Sequence, residues 1–143
     1  MKVTIYLYAN KKVYYAIMIA NNKEKSIKKI KKERKTKSIM ENYLLAAIVA
    51  FKSLKFPVNV KLISPRRTFS YMPDYENEIP EQDYIKDNMK LWKELSDLIK
   101  KHKSYIANRH TDNKKDFKEW QSLHSRVFSQ KSNNNFDKMD TLF

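Results

Sequence analysis

One stretch limits the fold of this chain more than any other: Lys37–Arg66, KSIMENYLLAAIVAFKSLKFPVNVKLISPR. Met40, Leu44, Ala47, Phe51 and Leu54 recur at helical spacing and make one apolar face. Ile39, Tyr43, Ala46, Ile48, Val49 and Ala50 extend that face almost all round the helix. A helix of this kind has to be covered by other elements and cannot lie on a surface. Ser38 and Glu41 are spaced as a capping box at its start, and Pro57 is expected to stop it. Val58, Val60 and Leu62 then alternate with Asn59, Lys61 and Ile63, which reads as a short strand ended by Ser64-Pro65.

The segments around it must supply the cover. Lys2–Tyr8 alternates as a strand, and Ala9–Lys12 is a turn in which Asn10 best tolerates a left-handed backbone. Val13–Ala20 is apolar on both faces, so it belongs inside a sheet covered on both sides. Glu24–Lys35 stays open: Ile27 and Ile30 are three apart, as in a helix, while its lysines suit a solvated edge strand. Arg66–Asp87 is irregular, with a local acidic cluster. Asn88–His102 is a helix by Met89, Trp92, Leu95, Leu98 and Ile99. Ser104–Asn108 is a short strand. Lys114–Gln130 is a helix with Phe117, Trp120, Leu123, Val127 and Phe128 on one face. The expected domain is 1–130, and the polar, Asn-rich 131–143 is expected to be a mobile tail.

Composition removes several function classes. The 143 residues contain no cysteine, which excludes a disulfide framework and a thiolate metal site. They contain no glycine, which excludes a glycine-rich phosphate cradle and leaves every turn to Asn, Asp, Lys or Pro. No apolar run approaches the ~20 residues of a membrane span, and the signal-peptide pattern is missing, so a cytoplasmic or virion-associated protein is expected. Lys+Arg 30 against Asp+Glu 16 gives a formal net charge of +14, which favours a polyanionic partner, nucleic acid foremost.

The order strand, strand, strand, helix, strand, irregular segment, helix, strand, helix resembles the ribonuclease H type I family over about Met1–Gln130. Met40-Glu41 followed by Ala46-Ala47, then Asn88-x-x-Leu91-Trp92-x-x-Leu95, then Arg109-His110 resemble its motifs in their order. The resemblance implies an α/β fold: a five-stranded mixed sheet, the first three strands antiparallel, with helices on both faces. It also implies a place where RNA–DNA hybrids would be cut by two divalent ions about 4 Å apart, held by clustered carboxylates. The positions that would carry that chemistry are Tyr8, Glu41, Ser64, His110 and Gln121, of which Glu41 alone is a carboxylate. A phenol with a pKa near 10 is a poor Mg²⁺ ligand at neutral pH. Without the resemblance, Glu41 reads as a helix cap, His110 as a loop histidine bonded to nearby backbone, and Trp92 and Trp120 as core aromatics.

The expected function is a catalytically inactive ribonuclease H-like protein that binds nucleic acid, with no metal and no cofactor. Lys11, Lys12, Lys35, Lys37, Arg66, Arg67, Arg109, Lys114 and Lys115 fall in loops or element ends, where they would contact phosphates without reading sequence. One alternative is a structural or assembly subunit of a viral particle or ribonucleoprotein. A second is a ribonuclease rebuilt on Glu41, Asp112 and Asp116. The terminal run Met139-Asp140-Thr141-Leu142-Phe143 resembles pentapeptides by which replication proteins dock on the bacterial sliding clamp, with Leu142 and Phe143 as anchors. Those two side chains could equally pack on the domain itself or on a neighbouring subunit.

Overall fold

The alternation of the first twenty residues folds as a hairpin. β1 (Lys2–Ala9) and β2 (Val13–Asn21) pair antiparallel, with Val3 opposite Ala20 and Ala9 opposite Tyr14. The turn closes without glycine because the Asn10 side chain accepts from the backbone N–H of Lys12 (2.7 Å) and Val13 (3.0 Å). The structure is a computed structural model that describes residues 1–21, 26–72 and 88–129.

The open segment resolves as a strand, β3 (Ser26–Glu33), antiparallel to β2 with Val13 opposite Glu33. Two residues three apart point to opposite faces of a strand, and Ile30 packs into one core layer while Ile27 packs into the other. The unpaired edge of β2 overrode the helical spacing, since its backbone groups need partners.

β4 (Asn59–Ser64) lies parallel to β1, with Val3 opposite Val60, and β5 (Ser104–Arg109) lies parallel to β4, with Val60 opposite Tyr105. The sheet order is β3-β2-β1-β4-β5, so the five-stranded mixed sheet is as expected. α1 (Ile39–Lys52) and α2 (Met89–Ile99) cover one face, where Ile5, Leu7, Leu44, Phe51, Leu62, Trp92 and Leu95 are sealed from solvent. α3 (Lys114–Ser129) covers the other, where Tyr15, Ile17, Ile63 and Leu123 are buried. Each such Leu, Ile or Phe contributes roughly 1.5–3 kcal/mol by burial.

Two details of α1 depart from expectation. It ends at Lys52, well before Pro57, because Ser53 turns its Oγ back to the Val49 carbonyl (2.9 Å) and caps the last turn. Leu54 therefore packs on the core from beyond the helix. At the other end half of the capping box forms: Ser38 Oγ accepts from Glu41 N–H (3.3 Å). The Ser38 N–H donates to Thr36 Oγ1 (3.1 Å) instead of to Glu41, whose carboxylate is taken by Arg34.

Parallel pairing fixes where loops meet. The C-terminal ends of β1, β4 and β5 share one end of the sheet, and their starts share the opposite end. α1 begins at the first end, where the fully buried Asn42 donates from Nδ2 to the carbonyls of Asn10 and Arg34 (both 2.9 Å). Backbone bonds from Arg34 to Lys12 and from Thr36 to Lys11 (both 2.9 Å) join the β3–α1 link to the hairpin turn. Among the described residues no helix is long and apolar enough to cross a membrane. The expected tail, with Leu142 and Phe143, and the acidic cluster beyond Met72 lie outside the described residues.

Candidate functional site

Tyr8 stands one residue before the end of the central strand, on the face that α3 covers. Rings from both layers close on it. The His124 ring centroid is 4.1 Å away, Tyr15 5.5 Å, Trp120 5.8 Å and Tyr43 6.5 Å. Trp120 and His124 are four apart on α3 and so share one face of it. Trp120 Nε1 donates to the Leu7 carbonyl (2.9 Å), which fixes the indole against β1.

This cluster is electrically neutral. Burial raises the Tyr15 hydroxyl far above the usual phenol range and lowers the His124 imidazole, so the hydroxyl donates to a neutral Nδ1. Burial also pushes Tyr43 up to about 12, against a hydrogen bond from the Ala9 backbone that lowers it. The Arg66 guanidinium lies 6.0 Å from the Tyr43 ring centroid, within reach of a cation–π contact.

The positions named from the resemblance are partly gathered here. Tyr8 is at the centre. Ser64 is fully buried at the end of β4, where its Oγ accepts from Arg66 N–H (3.0 Å). Glu41 is not in the cluster. Two residues apart on a helix is about 200° of rotation, so the Tyr43 that meets Tyr8 turns Glu41 away, towards Arg34 and Thr36. Gln121 is exposed, and Trp120 and His124 take the inward face of α3. His110 makes no backbone bond through its buried Nδ1. It packs edge-on to Trp120 (4.5 Å) and near Phe117 (5.3 Å), and burial and then Arg109 lower its pKa against Asp112.

Tyr43, Tyr15 and His124 were missed as members of the site. The signal for Tyr43 lay in the helix itself: it stands three residues after Met40 and three before Ala46, on the apolar side that packs on the sheet.

A two-metal centre does not fit these residues. Phenols, an indole and an imidazole committed to Tyr15 fill the space, and among the described residues no carboxylate contacts these rings. Among the described residues no group of three or more His, Asp or Glu is arranged to hold a metal. Asp116 is paired with Lys61 (3.1 Å), and Asp112 accepts from the Arg109 N–H (3.1 Å), so Glu41, Asp112 and Asp116 serve three separate local roles.

Cations surround the cluster on the strand-end side. Lys11 and Lys12 on the hairpin turn are exposed beside Lys35 and Lys37 on the β3–α1 link. A concavity of about 480 Å³ there is lined by Asn10, Lys12, Lys31, Arg34 and Lys35, among others. Arg66 and Arg67 follow β4, and Arg109 ends β5 in register with Ser64. Lys115 does not join them, and Lys114 is exposed at the start of α3. Lys115 shares a cleft with Lys2, Lys61 and Asp116, near the strand starts.

No protein-family model and no curated protein matches this sequence. Solved structures do match. RNase H1 from the halophilic archaeon Halobacterium salinarum NRC-1 superposes with a TM-score of 0.61 at 8% identity, over 76% of this chain and 85% of that one. LC9-RNase H1, a type 1 RNase H with the type 2 active-site motif, gives 0.66 at 10%, over 96% and 77%. The N-terminal RNase H domain of Rv2228c from Mycobacterium tuberculosis gives 0.55 at 12%, over 82% and 92%. The fold is ribonuclease H-like.

Proposed function

We propose that this chain, from a ribonuclease H-like fold, binds nucleic acid through the strand-end basic surface and does not cleave it. The observation that carries the reading is the exchange at the strand ends. Where two-ion chemistry would need clustered carboxylates, the chain has the neutral rings of Tyr8, Tyr15, Tyr43, Trp120 and His124. Around them it keeps cations: Lys11, Lys12, Lys35, Lys37, Arg66, Arg67 and Arg109. Lys and Arg at phosphates supply affinity that does not depend on sequence and falls with salt. The solved neighbours named as ribonucleases H support nucleic acid over other polyanions.

The test is binding of hybrid, double-stranded and single-stranded oligonucleotides across a salt series, with and without Mg²⁺. Binding that weakens steeply with salt, with every strand left intact in Mg²⁺ and Mn²⁺, is the expected result. Absence of binding at low salt would turn the reading towards an assembly block. Metal-dependent cutting abolished by Asp116→Asn would restore a nuclease.

A further inference from the structure

The far end of the sheet carries a second concentration of positive charge. β1, β4 and β5 all start there, and α1 and α2 both finish there, because each helix leads into the next parallel strand. The junctions are bonded together: Asn59 N–H to the Met1 carbonyl (2.9 Å), Lys103 N–H to the Val58 carbonyl (3.1 Å), and Val58 N–H to His102 Nδ1 (3.2 Å). This brings Lys2, Lys52, Lys55, Lys100, Lys101 and Lys103 to one end, all of them exposed. Lys28, near the start of the edge strand, is close enough to Lys55 to feel its charge. A concavity of about 530 Å³ between the two helix ends is lined by Lys52, Lys55, Lys101 and His102 beside Phe51 and Phe56.

Helix ends alone do not account for this charge. Two helix C-termini present roughly half a negative charge each, about one lysine's worth. The nearby acids are Glu94, which pairs with Lys52 (2.8 Å), the exposed Asp97, and Asp116 and Glu119, which line the cleft that holds Lys2. Among the described residues Lys55, Lys100, Lys101 and Lys103 have no ion-pair partner, and the bonded junctions hold their backbones at one end of the sheet. The eight residues of β1 separate the two basic ends by about 25 Å. That is about three times the Debye length of about 8 Å at physiological ionic strength, so the charges at the two ends are screened from each other.

We infer that the strand-start end is a second polyanion-binding surface, and that one chain bridges two nucleic-acid segments, one at each end of its sheet. This rests on the reading that the strand-end surface binds nucleic acid. The occupant is again nucleic acid, because exposed lysines beside the half-exposed Phe56 offer phosphate contacts and a ring for stacking.

The test separates the two claims. The full chain is mixed with a biotinylated duplex on beads and a second, labelled duplex, while binding to a single duplex is followed by anisotropy. The wild-type chain is expected to carry labelled duplex onto the beads. The quadruple variant Lys55→Glu, Lys100→Glu, Lys101→Glu, Lys103→Glu is expected to lose at least about tenfold in capture, with single-duplex affinity falling far less. The same positions changed to Gln, with an unchanged melting temperature, guard against misfolding and should show the same loss. Single-duplex binding without capture overturns the bridge and spares the proposed function. Capture that survives both variants also overturns it, since bridging would then come from pairs of chains. No binding to any duplex at low salt overturns both.

Discussion

Tyr15 and His124 show how single side chains set the pH response. All three histidines of the chain are held below their ordinary pKa, each first by burial: His124 under Tyr15, His102 beneath the Val58 N–H, His110 against Trp120. A proton therefore binds the unfolded chain more readily than the folded one. The stability this contributes is complete above the unfolded histidine pKa near 6.5 and is lost as pH falls through the folded values. The melting temperature is expected to drop between pH 7.5 and 5, with a shallower drop in His124→Gln; a flat profile would contradict the assignment. Trp120 is the second residue to test. Trp120→Phe keeps a ring beside Tyr8 and removes the bond to the Leu7 carbonyl, so it should cost about 1 kcal/mol in urea unfolding. No measurable cost would mean that the indole N–H does not anchor α3.

At the scale of the element, one buried amide ties α1 to both the hairpin turn and the β3–α1 link. Asn42 donates to the Asn10 and Arg34 carbonyls and accepts from Arg34 Nη1 (3.0 Å), wholly out of water. Asn42→Leu has nearly the right shape but leaves two carbonyls and a guanidinium N–H without that partner. Each such loss costs about 1–3 kcal/mol, so the variant should lose at least about 2 kcal/mol and loosen the hairpin turn in hydrogen exchange. Full stability would show that water replaces the amide. Nothing in the sequence singles Asn42 out. It reads as one polar residue in an apolar helix, and its partners lie eight and thirty-two positions away. The elements themselves were legible, because periods of two and 3.6 residues are local properties. The edge strand was legible through the resemblance and not through its own spacing, since Ile27 and Ile30 take their faces from β2. For the candidate site, the sequence put Tyr8 at the end of the first strand and most of the basic residues in loops, which is where they stand. It did not show that Glu41 and Gln121 turn away from Tyr8, because a one- or two-residue difference in count turns a helical side chain to another face.

For the whole molecule, charge and folding meet in the same architecture. With cations at both ends of the sheet, affinity for a duplex should fall linearly in log–log with salt. Arg66→Gln with Arg67→Gln should reduce the slope by about 2 if both contact phosphates; an unchanged slope would remove them from the interface. The central strand also sets when the protein can become whole. β1 pairs first with a neighbour a few residues away, then with a strand about sixty residues on. The β1–β2–β3 meander has apolar side chains on both faces, and three strands cannot bury both by themselves. One face waits for α1 and α2, the other for α3, the last described element. A nascent chain therefore carries an uncovered layer of Tyr6, Tyr15, Ile17 and Ile19 until synthesis has passed residue 129. Over that interval the edge lysines Lys29, Lys31 and Lys32 repel other strands and keep unfinished chains apart. Fragments ending before α3 are expected to be insoluble, and more so when those lysines are made neutral.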